Sequence, residues 1–162
     1  HKPEVIGLTL APEGWVGVYS LIEAMKKHGH DIDMVTLKGI VERDNKGRYS
    51  FDEKENNIRA NQGHSANVAI TFEEVVPPAI LYHGTNKKVI DEIGRVGIMK
   101  MSRHHVHLSK DISTAKLVGE RRGSPVIIEV DALKMHYDGI KFYLSENNVY
   151  LTDYVSPKYL KY

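Results

Sequence analysis

The sequence predicts an α+β protein made of two small lobes. Two amphipathic helical stretches and a hairpin pattern come first, and short apolar stretches typical of strands dominate the rest. Between these regions lies "VVPPAI", whose two prolines disfavour both a helix and a central strand. We therefore place the first lobe at 1–76 and the second at 77–162, since 162 residues can form one full core or two small ones.

The first lobe begins with a predicted helix over 16–28, where apolar residues recur with the spacing i, i+3, i+4, i+7. These residues are Val18, Leu21, Ile22 and Met25. A shorter helix follows, with Thr36 as its candidate N-cap. Residues 48–60 alternate apolar and polar side chains around a polar turn, which predicts a hairpin. Helix, helix and hairpin is the element order of a winged-helix module.

The second lobe is predicted to contain four strands separated by helices. The candidate strands lie at 79–82, 105–108, 125–130 and 148–152. A helix is predicted over 86–96, with Gly97 as its stop, and a shorter helix follows Asp111.

Composition excludes several classes of function. The chain has no cysteine, so disulfides, thiolate metal sites and cysteine nucleophiles are excluded. No apolar run approaches the ~20 residues that a membrane span needs, and a cytoplasmic protein is the expectation. The net charge is +1, divided into −3 for residues 1–76 and +4 for 77–162. A nucleic-acid partner would therefore be bound at a local basic site rather than by the electrostatic field of the whole protein.

"MSRHHVHLS" (101–109) raises the main functional question. If the whole stretch is a strand, Arg103, His105, His107 and Ser109 lie on one face. The H-x-H spacing allows a metal site, although the fixed charge of Arg103 opposes a cation. Arginine among histidines also suits phosphate and sugar hydroxyls. An exposed strand end with incidental histidines is the third interpretation, and the residues alone leave all three open.

Three further stretches concentrate polar side chains. "LYHGT" (81–85) ends a predicted strand, and its glycine would allow the backbone to approach a ligand closely. "NIRANQGHS" (57–65) and "GERRGSPVIIEV" (119–130) carry arginines that could face an anion. A solvated loop or turn is the alternative interpretation of each stretch.

Taken together, these stretches resemble the NAD-dependent RNA 2′-phosphotransferase family of the ADP-ribosyltransferase superfamily. The resemblance covers "HKPE", "EGWV", "KGRYSF", "IRANQGHS", "LYHGT", "RHHVHLS", "GSPVIIEV" and "NNVYLT", in matching order and spacing over essentially the whole chain. It implies a winged-helix-like lobe for RNA phosphate, followed by a β-rich ADP-ribosyltransferase-like lobe that holds NAD.

The resemblance also implies roles for individual residues. The catalytic set is His1, Arg48 and Arg103, with a further arginine immediately before His1 in the family pattern. Residues implied in NAD binding are His83, Gly84, Thr85, His107, Leu108, Ser109, Arg121 and Val149. Residues implied in binding the RNA substrate are Arg59, Gln62, His64 and Ser65. No metal is implied.

The implied reaction transfers an internal RNA 2′-phosphate to NAD in two steps. ADP-ribosylated 2′-phospho-RNA forms first, with release of nicotinamide, and then yields 2′-OH RNA and ADP-ribose 1″,2″-cyclic phosphate. A monomer is expected. One alternative is an ADP-ribosyltransferase that modifies nucleic-acid ends or protein and stops after the first step. The other is a non-enzymatic winged-helix nucleic-acid binder, against which the net charge of −3 in residues 1–76 counts.

Overall fold

The computed structural model describes residues 2–61, 70–120 and 123–162. This part of the chain is mixed α and β, with several small antiparallel sheets, as expected for an α+β protein. The chain divides into two compact units, the first ending at Thr71 and the second beginning at Phe72. No helix of the described residues is both long and apolar enough to cross a membrane.

The elements of the described residues follow in chain order. The α-helices are α1 (Val18–Lys27), α2 (Met34–Glu42), α3 (Ile90–Val96), α4 (Ile112–Glu120) and α5 (Ala132–Tyr137). The strands of the first unit are β1 (Val16–Gly17), β2 (Tyr49–Phe51) and β3 (Asn57–Ala60). The strands of the second unit are β4 (Glu73–Val75), β5 (Ile80–Asn86), β6 (Ile98–Met99), β7 (Val106–Leu108), β8 (Pro125–Asp131), β9 (Phe142–Leu144), β10 (Tyr150–Thr152), β11 (Tyr154–Val155) and β12 (Leu160–Lys161). Short 3₁₀ helices cover Pro3–Ile6, Pro12–Gly14, Lys87–Val89 and Pro157–Tyr159.

The first unit packs two helices against a three-stranded sheet of order β1-β3-β2. Its buried core consists of Val18 from α1, Leu37 from α2 and Ile58 from β3. β2 and β3 pair antiparallel, with Phe51 opposite Ile58. The predicted first helix and hairpin are therefore confirmed. Val18 and Ile58 are buried in this core, and Leu21, Ile22 and Phe51 pack against it.

The second helix begins earlier than the sequence suggested. Asp33, rather than Thr36, is its N-cap, and the Asp33 carboxylate accepts a hydrogen bond from the Thr36 backbone N–H at 2.7 Å. Thr36 thus supplies a donor of the first turn. The choice of Thr36 as the cap was wrong: Thr36 lies inside the helix, and the Asp33 carboxylate accepts from an orphan N–H group of the first turn.

The boundary between the units lies before the proline pair. β4 precedes Pro77 and pairs antiparallel with β9, with Val75 opposite Phe142. Residues 73–75 therefore belong to the second unit, whereas the sequence placed them in the first lobe. This pairing joins residues far apart in the chain, which no local pattern reveals.

The second unit contains a four-stranded sheet of order β4-β9-β10-β7 and a three-stranded sheet of order β12-β8-β5. The β6–β11 pair is separate. β5 and β8 pair over seven residues, from Ile80 opposite Asp131 to Asn86 opposite Pro125. An isolated bridge between Tyr82 and Ser109 connects β5 to the residue after β7. The middle of β5 and the end of β7 are thereby neighbours.

The helix predicted over 86–96 forms as the 3₁₀ turn Lys87–Val89 followed by α3. Gly97 ends it, as predicted, with a φ of 87°. This value lies in the region that favours glycine, and a Cβ there would lie 2.2 Å from the Val155 carbonyl oxygen. The helix that follows Asp111 is α4, and the Asp111 carboxylate accepts a hydrogen bond from the Thr114 backbone N–H at 2.8 Å.

The strand expected over 101–109 is much shorter in the structure. Only β7, three residues long, is extended, because a turn precedes it. In that turn Met101 has a φ of 54°, and the Arg103 N–H donates to the Lys100 carbonyl oxygen at 2.9 Å. The expectation that Arg103 and His105 share one strand face with His107 and Ser109 was therefore wrong, because alternation requires extended backbone.

Candidate functional site

His83 and His107 are brought together where the middle of β5 lies beside β7. The His83 Nδ1 atom lies 3.2 Å from the His107 carbonyl oxygen. A carbonyl oxygen only accepts, so Nδ1 carries the proton and Nε2 of neutral His83 is an acceptor. This hydrogen bond orients the His83 ring, which lies at the middle of β5 and not, as the sequence suggested, at the end of a strand.

His107 lies on the half-buried face of β7. Its neighbours Val106 and Leu108 are buried in the core on the other face, at 2% and 0% exposure. The pKa of His107 is lowered to about 4, mainly because the imidazole is buried, and the nearby Arg103, His105 and His83 act in the same direction. His107 is therefore neutral near pH 7. A neutral imidazole can donate one hydrogen bond and accept another, which suits sugar hydroxyls and amides.

His105 lies between two aromatic rings. Its ring centroid is 5.7 Å from that of Phe72, in an edge-on arrangement, and 5.9 Å from that of Tyr143. Burial is the main reason why its pKa is lowered. These contacts explain His105 as a packing residue of the second unit.

The structure does not give His105 and His107 a common strand face. Among residues 2–61, 70–120 and 123–162, no group of three or more histidine, aspartate or glutamate side chains is arranged to hold a metal ion.

Arg103 is exposed at the turn before β7. Its positive charge contributes to lowering the pKa of His107, which places the guanidinium within electrostatic range of that imidazole. A fixed cation beside a neutral histidine is a donor set that fits a phosphorylated sugar, because the guanidinium binds the anion and the imidazole binds hydroxyl groups.

Gly84 is explained by packing inside the second unit. A Cβ at this position would lie 1.7 Å from the carbonyl oxygen of Ala115, so α4 crosses β5 in direct backbone contact. Gly119 makes the same crossing possible opposite Thr85, which is buried. The sequence predicted close approach of a ligand to Gly84, whereas the structure shows close approach of a helix.

The remaining candidates of the second unit flank β7 and β10. The Ser109 N–H and C=O both bond to the backbone of Tyr82, at 2.8 Å each. Leu108 is fully buried, and its expected contact with NAD stays a prediction. Val149 precedes β10 and is half-buried, and its backbone N–H donates to the Ser145 hydroxyl at 3.1 Å.

Arg48 lies at the start of the hairpin of the first unit, immediately before β2. Its side chain is 45% exposed and pairs with the Asp44 carboxylate, with 2.6 Å between Nη1 and Oδ1. The exposed guanidinium is therefore held on one side by a nearly buried carboxylate. A cation held in this way is suited to binding a phosphate.

Arg59 is occupied by contacts within the first unit. Its guanidinium lies over the Trp15 ring, 4.5 Å from the centroid, and donates to the Glu13 carboxylate at 3.1 Å. The same carboxylate accepts from the Thr71 N–H at 3.1 Å, and these hydrogen bonds with Thr71 are the main reason why the Glu13 pKa is lowered. Arg59 is 12% exposed, so a structural role is evident and its expected contact with RNA stays a prediction.

Several predicted site residues lie outside the described residues, namely His1, Gln62, His64, Ser65 and Arg121. Conversely, sequence reasoning missed two carboxylates, Asp44 and Glu13. The spacing Asp44–Arg48 is a local signal that could have pointed to the first pair. Glu13 and Arg59 are 46 residues apart, and no local signal predicts their contact.

The chain is similar over nearly its whole length to known proteins of one family. The family model described as "RNA 2′-phosphotransferase, Tpt1 / KptA family" matches residues 1–154. A protein of Trichormus variabilis named "Probable RNA 2′-phosphotransferase" is 52% identical over 160 residues, covering 99% of this chain and 88% of the relative. A protein of the same name from Fusobacterium nucleatum is 52% identical over 163 residues, covering 100% and 91%. One from Pseudomonas aeruginosa is 45% identical over 162 residues, covering 99% and 89%. With matches of this extent, the chain belongs to the RNA 2′-phosphotransferase family of enzymes.

Proposed function

We propose that this enzyme removes an internal 2′-phosphate from RNA by transferring it to NAD. The products are 2′-OH RNA, nicotinamide and ADP-ribose 1″,2″-cyclic phosphate. The family match over residues 1–154 carries the proposal. The neutral His107 beside Arg103 and His83 supports it, because this donor set suits a phosphorylated ribose.

NAD supplies an electrophilic ribose carbon and a nicotinamide leaving group. A 2′-phosphate oxygen forms a bond to C1″ of that ribose as the bond from C1″ to the nicotinamide nitrogen breaks. The 2″-hydroxyl oxygen then bonds to phosphorus, the bond between phosphorus and the RNA 2′-oxygen breaks, and the hydroxyl proton ends on that oxygen. Atoms and charge balance without a redox partner.

The second unit is proposed to hold NAD. His83 and His107 bind the ribose and amide groups through their imidazole rings, with Nε2 of His83 facing away from its Nδ1 hydrogen bond. Thr85, Leu108 and Ser109 act through the backbone and the packing of β5 and β7.

The phosphate chemistry is proposed to depend on arginines. Both reactants are anionic, so fixed cations must offset their repulsion before bond formation. Arg48 binds the 2′-phosphate, and Arg103 holds the charge that develops on the phosphoryl oxygens. Preorganised donors of this kind typically contribute ~3 kcal/mol each. His1 orients the phosphate or moves a proton.

We further propose that the first unit is a winged-helix-like lobe for RNA phosphate and that the second is an ADP-ribosyltransferase-like lobe. The two helices and the β2–β3 hairpin of the first unit support the former. The small antiparallel sheets of the second unit support the latter. The enzyme is proposed to act as a monomer in the cytoplasm.

The test is incubation with NAD and a synthetic oligoribonucleotide that carries one internal 2′-phosphate, followed by mass spectrometry. We expect loss of the phosphate from the RNA and appearance of ADP-ribose cyclic phosphate, in equal amounts and only when NAD is present. An ADP-ribosyltransferase that stops after the first step would accumulate ADP-ribosylated RNA instead. An RNA recovered with its phosphate unchanged would contradict the proposal.

A further inference from the structure

Asp44 binds Arg48 at two separate points. Its Oδ2 accepts the Arg48 backbone N–H at 2.6 Å, and its Oδ1 accepts the Arg48 guanidinium Nη1–H at 2.6 Å. Its Oδ1 also lies 3.3 Å from the Lys46 backbone nitrogen, which donates to it. One carboxylate thus holds both the main chain and the side chain of a single arginine.

The turn that carries this pair is held from a second side. Buried Asn61 donates from Nδ2 to the Gly47 carbonyl oxygen at 2.6 Å, and its backbone N–H donates to the Arg48 carbonyl oxygen at 2.8 Å. The Asp44 side chain is only 7% exposed, whereas that of Arg48 is 45% exposed. The anchor is therefore fixed inside the unit while much of the arginine reaches solvent.

We propose that Asp44 is a positioning residue that orients the Arg48 guanidinium for the RNA 2′-phosphate. The proposal rests on the phosphate-binding role proposed for Arg48. An arginine has five N–H donors, and the contacts between described residues direct one guanidinium donor to Asp44. The other donors of the planar group then point in fixed directions, so less conformational freedom is lost when a phosphate binds.

The positioning role and simple electrostatics predict opposite changes in phosphate affinity when Asp44 loses its charge. Asp44 is an anion close to the proposed phosphate-binding cation, so removal of its charge alone would strengthen phosphate binding. If orientation dominates, the neutral Asp44→Asn variant binds the phosphate more weakly. Asparagine has one carbonyl oxygen in place of two carboxylate oxygens, so it can accept from the main chain or from the guanidinium but not from both with the original geometry.

The experiment measures the affinity of the full chain, without NAD, for two oligoribonucleotides that differ only in one internal 2′-phosphate. The dissociation constant of the RNA without the phosphate, divided by that of the RNA with it, isolates the contribution of the phosphate. A lower ratio means that the phosphate adds less to binding. We expect Arg48→Ala to reduce this ratio about 30-fold and Asp44→Asn to reduce it about fivefold. In the Arg48→Ala background, Asp44→Asn should cause no further reduction, because Asp44 acts through Arg48.

Two further variants separate positioning from folding. Asp44→Ser keeps a short acceptor for the turn but does not reach the guanidinium, so it should reduce the ratio as much as Asp44→Asn does. Asp52→Asn is the matched control, because the Asp52 Oδ1 accepts the Asn56 backbone N–H at 2.8 Å in the neighbouring hairpin turn. Asp52→Asn should lower the midpoint of thermal unfolding without changing the ratio.

The outcomes distinguish the two proposals. An unchanged or increased ratio in both Asp44 variants, with the expected loss in Arg48→Ala, overturns the positioning role and leaves the proposed function intact. An equal reduction of the ratio in Asp52→Asn also overturns the positioning role, because the reduction would then reflect general destabilisation of the protein. A wild-type protein that does not discriminate between the two RNAs overturns both the positioning role and the phosphate-binding role on which it rests.

Discussion

Replacement of Arg103 by alanine tests the phosphate chemistry at the scale of one residue. Loss of a charge-assisted, bidentate contact in the transition state should cost ~2–4 kcal/mol, or a ~30- to 1000-fold decrease in rate. The side chain is exposed, so the midpoint of thermal unfolding should change little. The measurements are the initial rate of cyclic-phosphate release and a thermal unfolding curve.

The same variant has a second readout. Because the Arg103 charge contributes to lowering the pKa of His107, its removal should raise that pKa, which proton NMR of the imidazole can follow. A variant with normal turnover and an unchanged His107 pKa would show that Arg103 acts neither on the phosphate nor on the histidine.

His107 should make stability depend on pH in mildly acidic solution. Its pKa is about 4 in the folded protein and 6.5 in the ordinary, unfolded reference. Between these values the unfolded chain binds more protons, so stability falls as the pH falls from 6.5 toward 4. From pH 7.5 to pH 4.5 the loss due to this group should be ~2 kcal/mol.

Urea unfolding of wild type and His107→Gln at the two pH values measures this contribution. Glutamine does not titrate, so the variant should lose less stability on acidification than wild type by about that amount. Carboxylates whose pKa is lowered, including Glu13 and Asp111, contribute to acid sensitivity in both proteins, and their effect cancels in the comparison. Parallel pH dependences would mean that His107 is not neutralised by burial.

At the scale of elements, Gly84 determines how closely α4 packs on β5. A Cβ at this position would lie 1.7 Å from the Ala115 carbonyl oxygen and 2.7 Å from its carbonyl carbon, both backbone atoms that cannot rotate away. Gly84→Ala should therefore destabilise the protein by about 3 kcal/mol, because the helix must shift. The free energy of unfolding in urea gives the value.

Gly17→Ala is the control for this prediction. A Cβ there meets the Ser20 hydroxyl oxygen at 3.4 Å, which is ordinary contact, so the change should cost less than ~1 kcal/mol. Equal stability of the two variants would show that α4 tolerates displacement from β5.

At the scale of the whole molecule, the proposed reaction depends on fixed cationic side chains rather than on a divalent metal. In that proposal, Arg48 and Arg103 supply the positive charge that a metal ion supplies in other phosphoryl transfers. NAD-dependent release of the RNA 2′-phosphate should therefore proceed at an unchanged rate in excess EDTA. Complete inhibition by the chelator, reversed by added zinc, would contradict this expectation and restore the H-x-H metal interpretation.

The sequence by itself determined several of the elements and the family. The first helix, the hairpin, the strand at 125–130 and the stop at Gly97 were all predictable, because apolar periodicity and glycine conformation act over a few residues. The order and spacing of the motifs identified the family, because both can be read directly from the chain without knowledge of tertiary contacts.

Tertiary structure alone decided what several of those motif residues do. Arg59 pairs with Glu13 from 46 positions away, Gly84 accommodates α4, and His107 acquires a pKa of about 4 through burial. Even the strand expected at 101–109 was shortened by a turn that its apolar and polar pattern did not predict. Local sequence specifies backbone preference, whereas burial, charge environment and partner choice depend on residues distant in the chain, and these set the chemistry of each side chain.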